Sequence, residues 1–129
     1  VDATFSDPVF PDLHGNEVRA MWRMLCERGT DLKIAFRDIR ASEETGTARW
    51  EAWYTFSGTG RYVHNVIDSA FTFRSGLIIH HTDAFDLYRW ARQALGPMGT
   101  VFGWTSPMQR LIRRNARAAL GRLTGPAAP

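Results

Sequence analysis

Apolar positions along the chain recur at two different spacings, and the change from one to the other divides the sequence into helices and strands. In residues 16–28 they recur every three or four positions, which predicts a helix that Gly29 ends. Apolar and polar positions then alternate, as they do in strands with one buried face. Four strands are predicted in this way, at residues 32–41, 48–57, 62–73 and 77–85.

The connections between the predicted strands are short. Residues 57–60 (SGTG) are typical of a hairpin turn, and residues 74–76 (RSG) form the next one. Since parallel neighbours need long crossover connections, the short ones predict an antiparallel meander. Ahead of the first helix, Pro8 and Pro11 indicate that residues 1–13 are extended or irregular.

Helices return after the last predicted strand. Asp86 is expected to cap a helix that Gly96 ends. The pattern then predicts a loop at residues 97–106, a second helix at 107–123 and a frayed tail at 125–129.

This order of elements predicts a single α+β domain over residues 1–124. The apolar face of the sheet needs helices over it. A strongly curled sheet leaves a cone-shaped cavity between the two layers, and such a cavity is a natural binding site for a small molecule.

Composition excludes some classes of protein. The 129 residues contain no apolar run long enough to span a membrane, so no membrane partner is expected. The single cysteine, Cys26, excludes an internal disulfide and is typical of the reducing cytoplasm. Because it falls in a helical pattern, it is expected to be a core residue.

Positive charge is concentrated near the end of the chain. The net charge is only +3, but the last predicted helix carries five arginines: Arg110, Arg113, Arg114, Arg117 and Arg122. Such a cluster can bind nucleic acid or an anionic membrane, or it can be the solvated face of a helix. Because no nucleic-acid-binding motif accompanies it, we favour the solvated face and expect no nucleic-acid partner.

One predicted strand carries groups suited to acid–base chemistry. His81 and Asp83 lie two residues apart, so they share one face of the strand with its apolar positions. An imidazole and a carboxylate in such surroundings form either a buried acid–base site or a structural hydrogen-bonded pair. The adjacent His80 and His81 point to opposite faces, and no phosphate-binding motif is present, so no metal and no cofactor are predicted.

Three segments together resemble the SnoaL-like branch of the nuclear transport factor 2-like (NTF2-like) superfamily, whose fold ketosteroid isomerases share. They are residues 5–10 (FSDPVF) with 13–15 (LHG), residues 54–61 (YTFSGTGR), and residues 76–78 (GLI) leading to 83–86 (DAFD). The resemblance implies a cone-shaped, curved antiparallel sheet packed against helices. It also implies a homodimer formed through the outer face of the sheet, to which Trp53 would contribute.

Members of this family usually open with one or two helices, whereas this chain begins at the extended segment that follows them. The N-terminal helical part, which normally covers the mouth of the cone, is therefore expected to be missing. Truncation or disorder is the expected reason, because apolar sheet surface would otherwise be exposed.

The resemblance also implies a site. Asp83 matches the aspartate that looks catalytic in limonene epoxide hydrolases and SnoaL-type cyclases, and His81 would share or orient its proton. Alternation on the neighbouring strand turns Asn65 inward and His64 outward. Asn65 and Tyr54 either hydrogen-bond a substrate oxygen or are structural parts of the pocket. The ligand is expected to contact Tyr54, Trp50, Asn65, Ile67, Phe85 and Trp22.

Two departures from these relatives bear on the chemistry. The epoxide hydrolase pattern has an Arg-x-Asp pair where this chain has residues 50–52 (WEA), so that chemistry is disfavoured. The base of the ketosteroid isomerases is not identifiable here. Asp7 lies in the expected region, but it precedes a proline and is predicted to make an Asp-Pro turn.

Two functions remain open. The first is a cofactor-free acid–base isomerase or cyclase that acts on a small apolar, oxygen-bearing molecule, with Asp83 transferring the proton and His81 tuning it. The second is a non-catalytic module that binds a small ligand or a protein partner in the same cone. An Asp83 locked into hydrogen bonds with its neighbours would favour the second function.

Overall fold

The computed structural model describes residues 3–124, so the tail predicted at residues 125–129 lies outside the described part of the chain. Six strands and four helices follow one another within it. They are β1 (Thr4–Ser6), β2 (Leu13–His14), α1 (Asn16–Arg28), β3 (Lys33–Ala41), β4 (Thr45–Phe56), β5 (Arg61–Arg74), β6 (Leu77–Ala84), α2 (Leu87–Leu95), α3 (Pro97–Phe102) and α4 (Ser106–Thr124).

The strands form a single sheet with the order β2-β1-β6-β5-β4-β3. The predicted antiparallel meander is confirmed for β3 to β6. The expectation of a purely antiparallel sheet is wrong at one edge, because β1 pairs with β6 in parallel. A parallel pair needs a long connection, and here the whole meander separates the two strands along the chain.

Pairing between strands sorts the side chains onto two faces. Ser69 lies opposite Asp83, and Trp50 lies opposite Ile67; all four are buried on the inner face. The neighbouring pair Arg49–Asp68 points to the outer face, where the guanidinium Nε lies 2.8 Å from the carboxylate. Cross-strand partners always share a face, so each buried residue fixes the orientation of its neighbours.

Irregularities in two ladders help to curve the sheet. In β3 the register shifts between Arg37 and Arg40, where Asp38 has a positive φ of 52°. In β5 a second shift occurs between Thr72 and Phe73, opposite β6. Such interruptions bend the strand and increase its twist, which is how a sheet closes around a core.

Helices pack on this sheet in two apolar clusters. The first joins the β1–β2 corner to α1 and α4, and its buried members are Phe5, Phe10, Leu13, Met21, Met24, Ala119 and Leu120. The second joins the inner face of β5 to α2 and α4, with Val63, Leu87, Trp90, Ala91, Ala94 and Ile112. The sheet and the helices thus form the two layers of an α+β domain.

The first half of β5 has no strand beside it on the β6 side, and α2 takes that place. The side chain of Gln93 accepts a hydrogen bond from the His64 N–H at 2.8 Å and donates one to the His64 carbonyl oxygen at 2.9 Å. This carboxamide therefore replaces the strand that would otherwise satisfy the edge.

Two expectations about the helical parts are wrong. The predicted loop at residues 97–106 contains α3, because Pro97 at the first helical position and Gly99, which packs closely on α2, favour a short helix. Cys26 is exposed rather than part of the core, since α1 buries Met21 and Met24 instead.

The inner face is not covered evenly. At its β3 end, Ile34 and Phe36 are 45% and 60% exposed, although they lie opposite the buried residues Ala52 and Trp50. Among the described residues, no helix is both long and apolar enough to cross a membrane.

Candidate functional site

A chain of hydrogen bonds runs through the buried inner face. The Trp50 Nε1–H donates to Ser69 Oγ at 2.6 Å, and the Ser69 hydroxyl donates to Asp83 Oδ1 at 2.5 Å. Because an indole N–H can only donate, it fixes the direction of the chain and leaves the serine proton for the carboxylate. Asp83 is thereby held as an acceptor within the inner face.

His81 reaches the same carboxylate oxygen from the same strand. Its Nε2 lies 2.6 Å from Asp83 Oδ1, and both side chains are largely buried. The predicted sharing of one face by His81 and Asp83 is therefore observed as direct contact. Oδ2 of Asp83 makes no hydrogen bond within residues 3–124, so one carboxylate oxygen stays available.

Aromatic rings enclose the His81 imidazole. Trp22 stacks on it with a centroid distance of 5.7 Å, Phe5 meets it edge-on at 4.9 Å, and Phe71 lies 4.5 Å away. These rings come from α1, β1 and β5, so three elements hold the imidazole in one orientation. If Nε2 carries the proton shared with Asp83, Nδ1 is the basic nitrogen of the neutral ring.

Asp7 is a second carboxyl group at this site, and sequence reasoning placed it only in a turn. Its Oδ1 accepts hydrogen bonds from the N–H groups of Val9 and Phe10, at 2.7 and 2.6 Å, so the predicted turn is present. Burial nevertheless raises the pKa of Asp7 to about 6, and the negative charge of Asp83 contributes in the same direction. The sequence holds no signal for this burial, because Asp7 follows β1 directly and β1 reaches His81 only through its pairing with the distant strand β6.

Tyr54 lies on the inner face of β4 with its hydroxyl engaged on one side only. The Trp90 Nε1–H donates to that oxygen at 2.8 Å, which leaves the hydroxyl hydrogen free to donate. Burial raises the pKa of Tyr54, and the charge of Asp7 raises it further. The phenol therefore stays protonated, which suits a hydrogen-bond donor.

Asn65 is the buried polar residue for which the structure gives no internal partner. It lies opposite Ala52 on the inner face and is 6% exposed, as alternation predicts. No hydrogen bond joins its carboxamide to any residue between 3 and 124. Because no fully buried side-chain N or O atom in this part of the chain lacks a partner, the amide atoms must reach accessible surface, where an outside partner can bind them.

The structure brings most of the predicted ligand contacts into one cluster. Its buried members are Trp50, Ala52 and Ile67, and the partly buried side chains packed on it are Trp22, Leu32, Tyr54 and Phe85. Five of the predicted contacts thus share one apolar wall, and Asn65 lies beside it, opposite Ala52. These side chains lie on the same inner face as the Asp83 network.

An open groove of about 530 Å³ lies elsewhere, mostly on the outer face. Arg40, Arg49, Asp68 and Thr82 line it, and it includes neither His81 nor Asp83. Three or more metal-binding side chains do not come together anywhere in residues 3–124. We therefore base the candidate site on the side chains of the inner face and not on this groove.

A curved sheet closed by helices on its inner face is the architecture of the NTF2-like fold of α+β proteins. The chain belongs to the family of SnoaL-like domains, whose profile matches residues 1–81, well over half of its length. Asp83 lies just beyond the matched residues. No curated protein is similar enough in sequence to match.

Solved structures support the same fold. A proposed SnoaL-like polyketide cyclase from Jannaschia sp. CCS1 is similar with a TM-score of 0.64 at 16% identity, over 74% of this chain and 72% of that one. A protein with a ketosteroid isomerase-like fold from Catenulispora acidiphila, in complex with trimethylamine, has a TM-score of 0.63 at 15% identity, over 81% and 78%. An NTF2-like protein of unknown function from Burkholderia pseudomallei has a TM-score of 0.62 at 20% identity, over 72% and 76%.

Proposed function

We propose that this protein binds a small apolar, oxygen-bearing molecule against the inner face of its sheet and moves a proton on it without a cofactor. The observation that carries the proposal is the contact between His81 and Asp83, buried beneath aromatic walls and accompanied by Asp7. Two carboxyl groups and an imidazole in apolar surroundings form a pattern more typical of acid–base sites than of cores.

Binding is supported by polar groups of the inner face that can still accept a partner. Within residues 3–124 the Asn65 carboxamide makes no hydrogen bond, and the Tyr54 hydroxyl accepts one but donates none. Both lie among the apolar side chains of one wall, which matches the usual composition of small-molecule sites. A carbonyl or hydroxyl oxygen on a hydrophobic ligand would satisfy these two groups.

Catalysis follows from placing a base beside such a ligand. The base removes a proton from a carbon next to the ligand's carbonyl, and Tyr54 and Asn65 donate hydrogen bonds to the oxygen on which negative charge develops. Delivery of a proton to another carbon completes an isomerisation without any other reactant. The free Oδ2 of Asp83 is the proposed proton carrier, and His81 positions it.

Asp7 adds a second proton-carrying group. A carboxyl with a pKa of about 6 is present in both protonation states near neutral pH, which is the condition for efficient acid–base work. The charges of its two neighbours act on this pKa in opposite directions, since Asp83 raises it and His81 lowers it. We propose that protonated Asp7 delivers its own proton to the product carbon while Asp83 holds the proton it removed. Proton exchange of both carboxyls with water then restores the starting state.

A non-catalytic binding module is the second candidate, and one observation favours it. Asp83 Oδ1 already accepts from both Ser69 and His81, as a structural carboxylate would. In that case the same inner face would hold the ligand through Asn65 and Tyr54 without chemical change. A relative with this fold holds trimethylamine, which is a small ligand of the expected size.

The two candidates are separated by one experiment. Pooled ketones, lactones and epoxides are screened by ligand-observed NMR in D₂O against wild type, Asp83→Asn and Asp7→Asn. Acid–base catalysis predicts a compound that binds all three proteins but exchanges its α-protons for deuterium only with wild type. The control is Asp68→Asn, an exposed carboxylate on the outer face, which should exchange as wild type does.

Each outcome has a defined meaning. Binding without exchange in wild type makes the protein a binding module. Exchange that persists in both carboxyl variants contradicts the roles proposed for Asp83 and Asp7. Absence of binding by the whole pool contradicts the proposed class of ligand.

A further inference from the structure

A second surface of the molecule has no part in the site on the inner face, and it consists of apolar side chains that point outward. Met98, Val101 and Phe102 lie on one side of α3, three and four positions apart, and all are exposed. Trp104, in the turn that follows, is 68% exposed. These four side chains are called the α3 surface below.

Small residues on the other side of α3 hold this surface outward. A Cβ atom on Gly99 would lie 1.9 Å from the Ala91 carbonyl oxygen, and one on Gly103 would lie 2.8 Å from the Ala91 side chain. α3 therefore packs on α2 at backbone distance, with its glycines inward and its large apolar residues outward. Surface helices of globular proteins usually have the opposite arrangement.

Polar backbone groups around the α3 surface are satisfied within the chain. The Trp104 indole N–H donates to the Val101 carbonyl oxygen at 3.0 Å, and the Tyr88 hydroxyl donates to that of Thr100 at 2.8 Å. Thr105 donates to the Phe102 carbonyl oxygen through its hydroxyl at 2.6 Å. A lipid environment offers no partner for an unpaired backbone group, so a self-satisfied helix end can enter it at little cost.

The α3 surface belongs to the part of the chain in which every charged side chain is an arginine. Residues 87–129 contain seven arginines and no acidic residue, whereas residues 1–86 contain nine basic and thirteen acidic side chains. On α4, Arg113 and Arg117 are engaged with Pro8 and Glu17. Arg110 and Arg114 are exposed and make no ion pair or hydrogen bond within the described residues.

We propose that the α3 surface, together with Arg110 and Arg114, docks this protein on an anionic lipid membrane. The apolar side chains would enter the boundary between headgroups and acyl chains, and the arginines would contact lipid phosphates. Nucleic acid is another polyanion, but binding it would not explain why Met98, Val101 and Phe102 are turned outward. The docking is peripheral and does not rest on the proposed function of the inner face.

This inference revises the prediction of a solvated helix face without a membrane partner. The sequence shows the arginines, but α3 falls in a segment that the sequence pattern predicts as a loop. Apolar residues in a loop have no common direction. The structure gives them one, because they point outward from the helix that directly precedes the arginine-bearing α4 in the chain.

The proposal is tested by flotation of the full chain with vesicles. Vesicles of phosphatidylcholine mixed with phosphatidylglycerol are compared with phosphatidylcholine alone, at low and high salt. Wild type is expected to float with the anionic vesicles and to be released by salt. The double variant R110Q/R114Q should bind more weakly, by about fivefold for each arginine removed.

Substitutions on the α3 surface probe the apolar part. Val101→Ser and Trp104→Ser are each expected to reduce vesicle binding by about tenfold, since each removes roughly one large buried side chain from the lipid. Leu77→Ser is the matched control, because Leu77 is equally exposed at the turn between β5 and β6. Circular dichroism melts of each variant show whether the fold is kept.

A fluorescence measurement tests insertion without disturbing the fold. Lipids with brominated acyl chains should quench the tryptophan emission of wild type, and Trp104→Phe should float normally but lose that quenching. Failure of wild type to float with anionic vesicles overturns the proposal. It is also overturned if the serine variants float like wild type. The same holds if these substitutions leave flotation unchanged and alter only the binding of a DNA oligonucleotide or the mass of the protein in solution.

Discussion

Asp7 is both the turn residue that the sequence predicts and a buried carboxyl that the sequence does not reveal. Burial raises its pKa from 3.8 to about 6, against the two backbone N–H groups that favour the ionised form. A carboxyl with a higher pKa in the folded state binds its proton more tightly there. Its favourable contribution to folding is therefore complete below pH 3.8 and is lost as the pH rises through about 6.

Replacing Asp7 with asparagine should consequently stabilise the protein at neutral pH. The amide oxygen can accept the same two hydrogen bonds from Val9 and Phe10, and it never ionises. The gain in unfolding free energy should be near zero at pH 4 and should rise with pH. Above pH 6 it should level off at no more than about 3 kcal/mol. Urea denaturation at a series of pH values measures it.

The control for this prediction is Glu43→Gln, which changes an exposed carboxylate in the loop before β4. It should give no such pH profile. A stability difference for Asp7→Asn that stays constant between pH 4 and 7 would show that ionisation of this carboxyl is not the cause. If the variant is also more stable but inactive, Asp7 is a residue whose function is maintained at a cost in stability.

Ser69 links Trp50 to Asp83, and without it the Trp50 indole N–H would lack a hydrogen-bond partner. Ser69→Ala removes the acceptor of the Trp50 indole N–H and one donor to Asp83 at the same time. Buried polar groups left unpaired cost about 1–3 kcal/mol, so the variant should lose about that much in unfolding free energy. Ser57→Ala, an exposed serine of the β4–β5 turn, is the matched control and should change stability little. Equal stability of the two variants would mean that water or a rearranged side chain replaces Ser69.

Glycines decide how closely the helical elements pack. Gly99→Ala would place a Cβ against the backbone of α2, where nothing flexible can move aside, and should cost about 2–3 kcal/mol or more. Gly121→Ala, on the exposed side of α4, meets no atom within 4 Å and should instead stabilise the protein by about 0.5–1 kcal/mol. Thermal denaturation of both variants tests the pair. A loss of stability at both positions would contradict the open space around Gly121, because helix propensity favours alanine over glycine there.

Prediction from sequence worked best where one periodicity runs through a whole element. Alternation in β5 placed Asn65 on the inner face, and the three-to-four spacing gave α1 with the observed bounds. It failed at α3, because a six-residue helix that contains Gly99 and lies between Gly96 and Gly103 is too short for its apolar spacing to distinguish it from a loop. Asp7 was underestimated because its burial depends on β1 pairing with β6, a contact between distant parts of the chain.

At the scale of the whole molecule, charge divides the chain into two parts. The acidic groups lie within residues 1–86, the part that contains the sheet, and the last helices carry arginine alone. The proposed proton-transfer site lies on the inner face of the sheet, and the proposed membrane surface lies on the helices that follow it in the chain. Because the two share no residue, variants in one can be used as controls for the other.

The outer face of the sheet is the remaining large surface, and we propose that two copies of the chain associate through it. Trp53 stacks on His64 there with a centroid distance of 4.8 Å, and Tyr62 next to them is exposed. Apolar and aromatic side chains on an outer sheet face are typical of an interface between identical subunits. Light scattering should therefore give about twice the 14.6 kDa of one chain.

Tyr62→Arg tests this association without touching the core, because Tyr62 lies opposite Thr55 on the outer face. Two such arginines across a twofold interface would be buried and unpaired, so the variant should elute with the mass of a single chain. Leu77→Arg, with the same change of charge at an exposed position in the β5–β6 turn, should keep the mass of wild type. A dimer that survives Tyr62→Arg but not Leu77→Arg would move the interface to the turn end of the sheet, and the outer-face aromatics would then need a different partner.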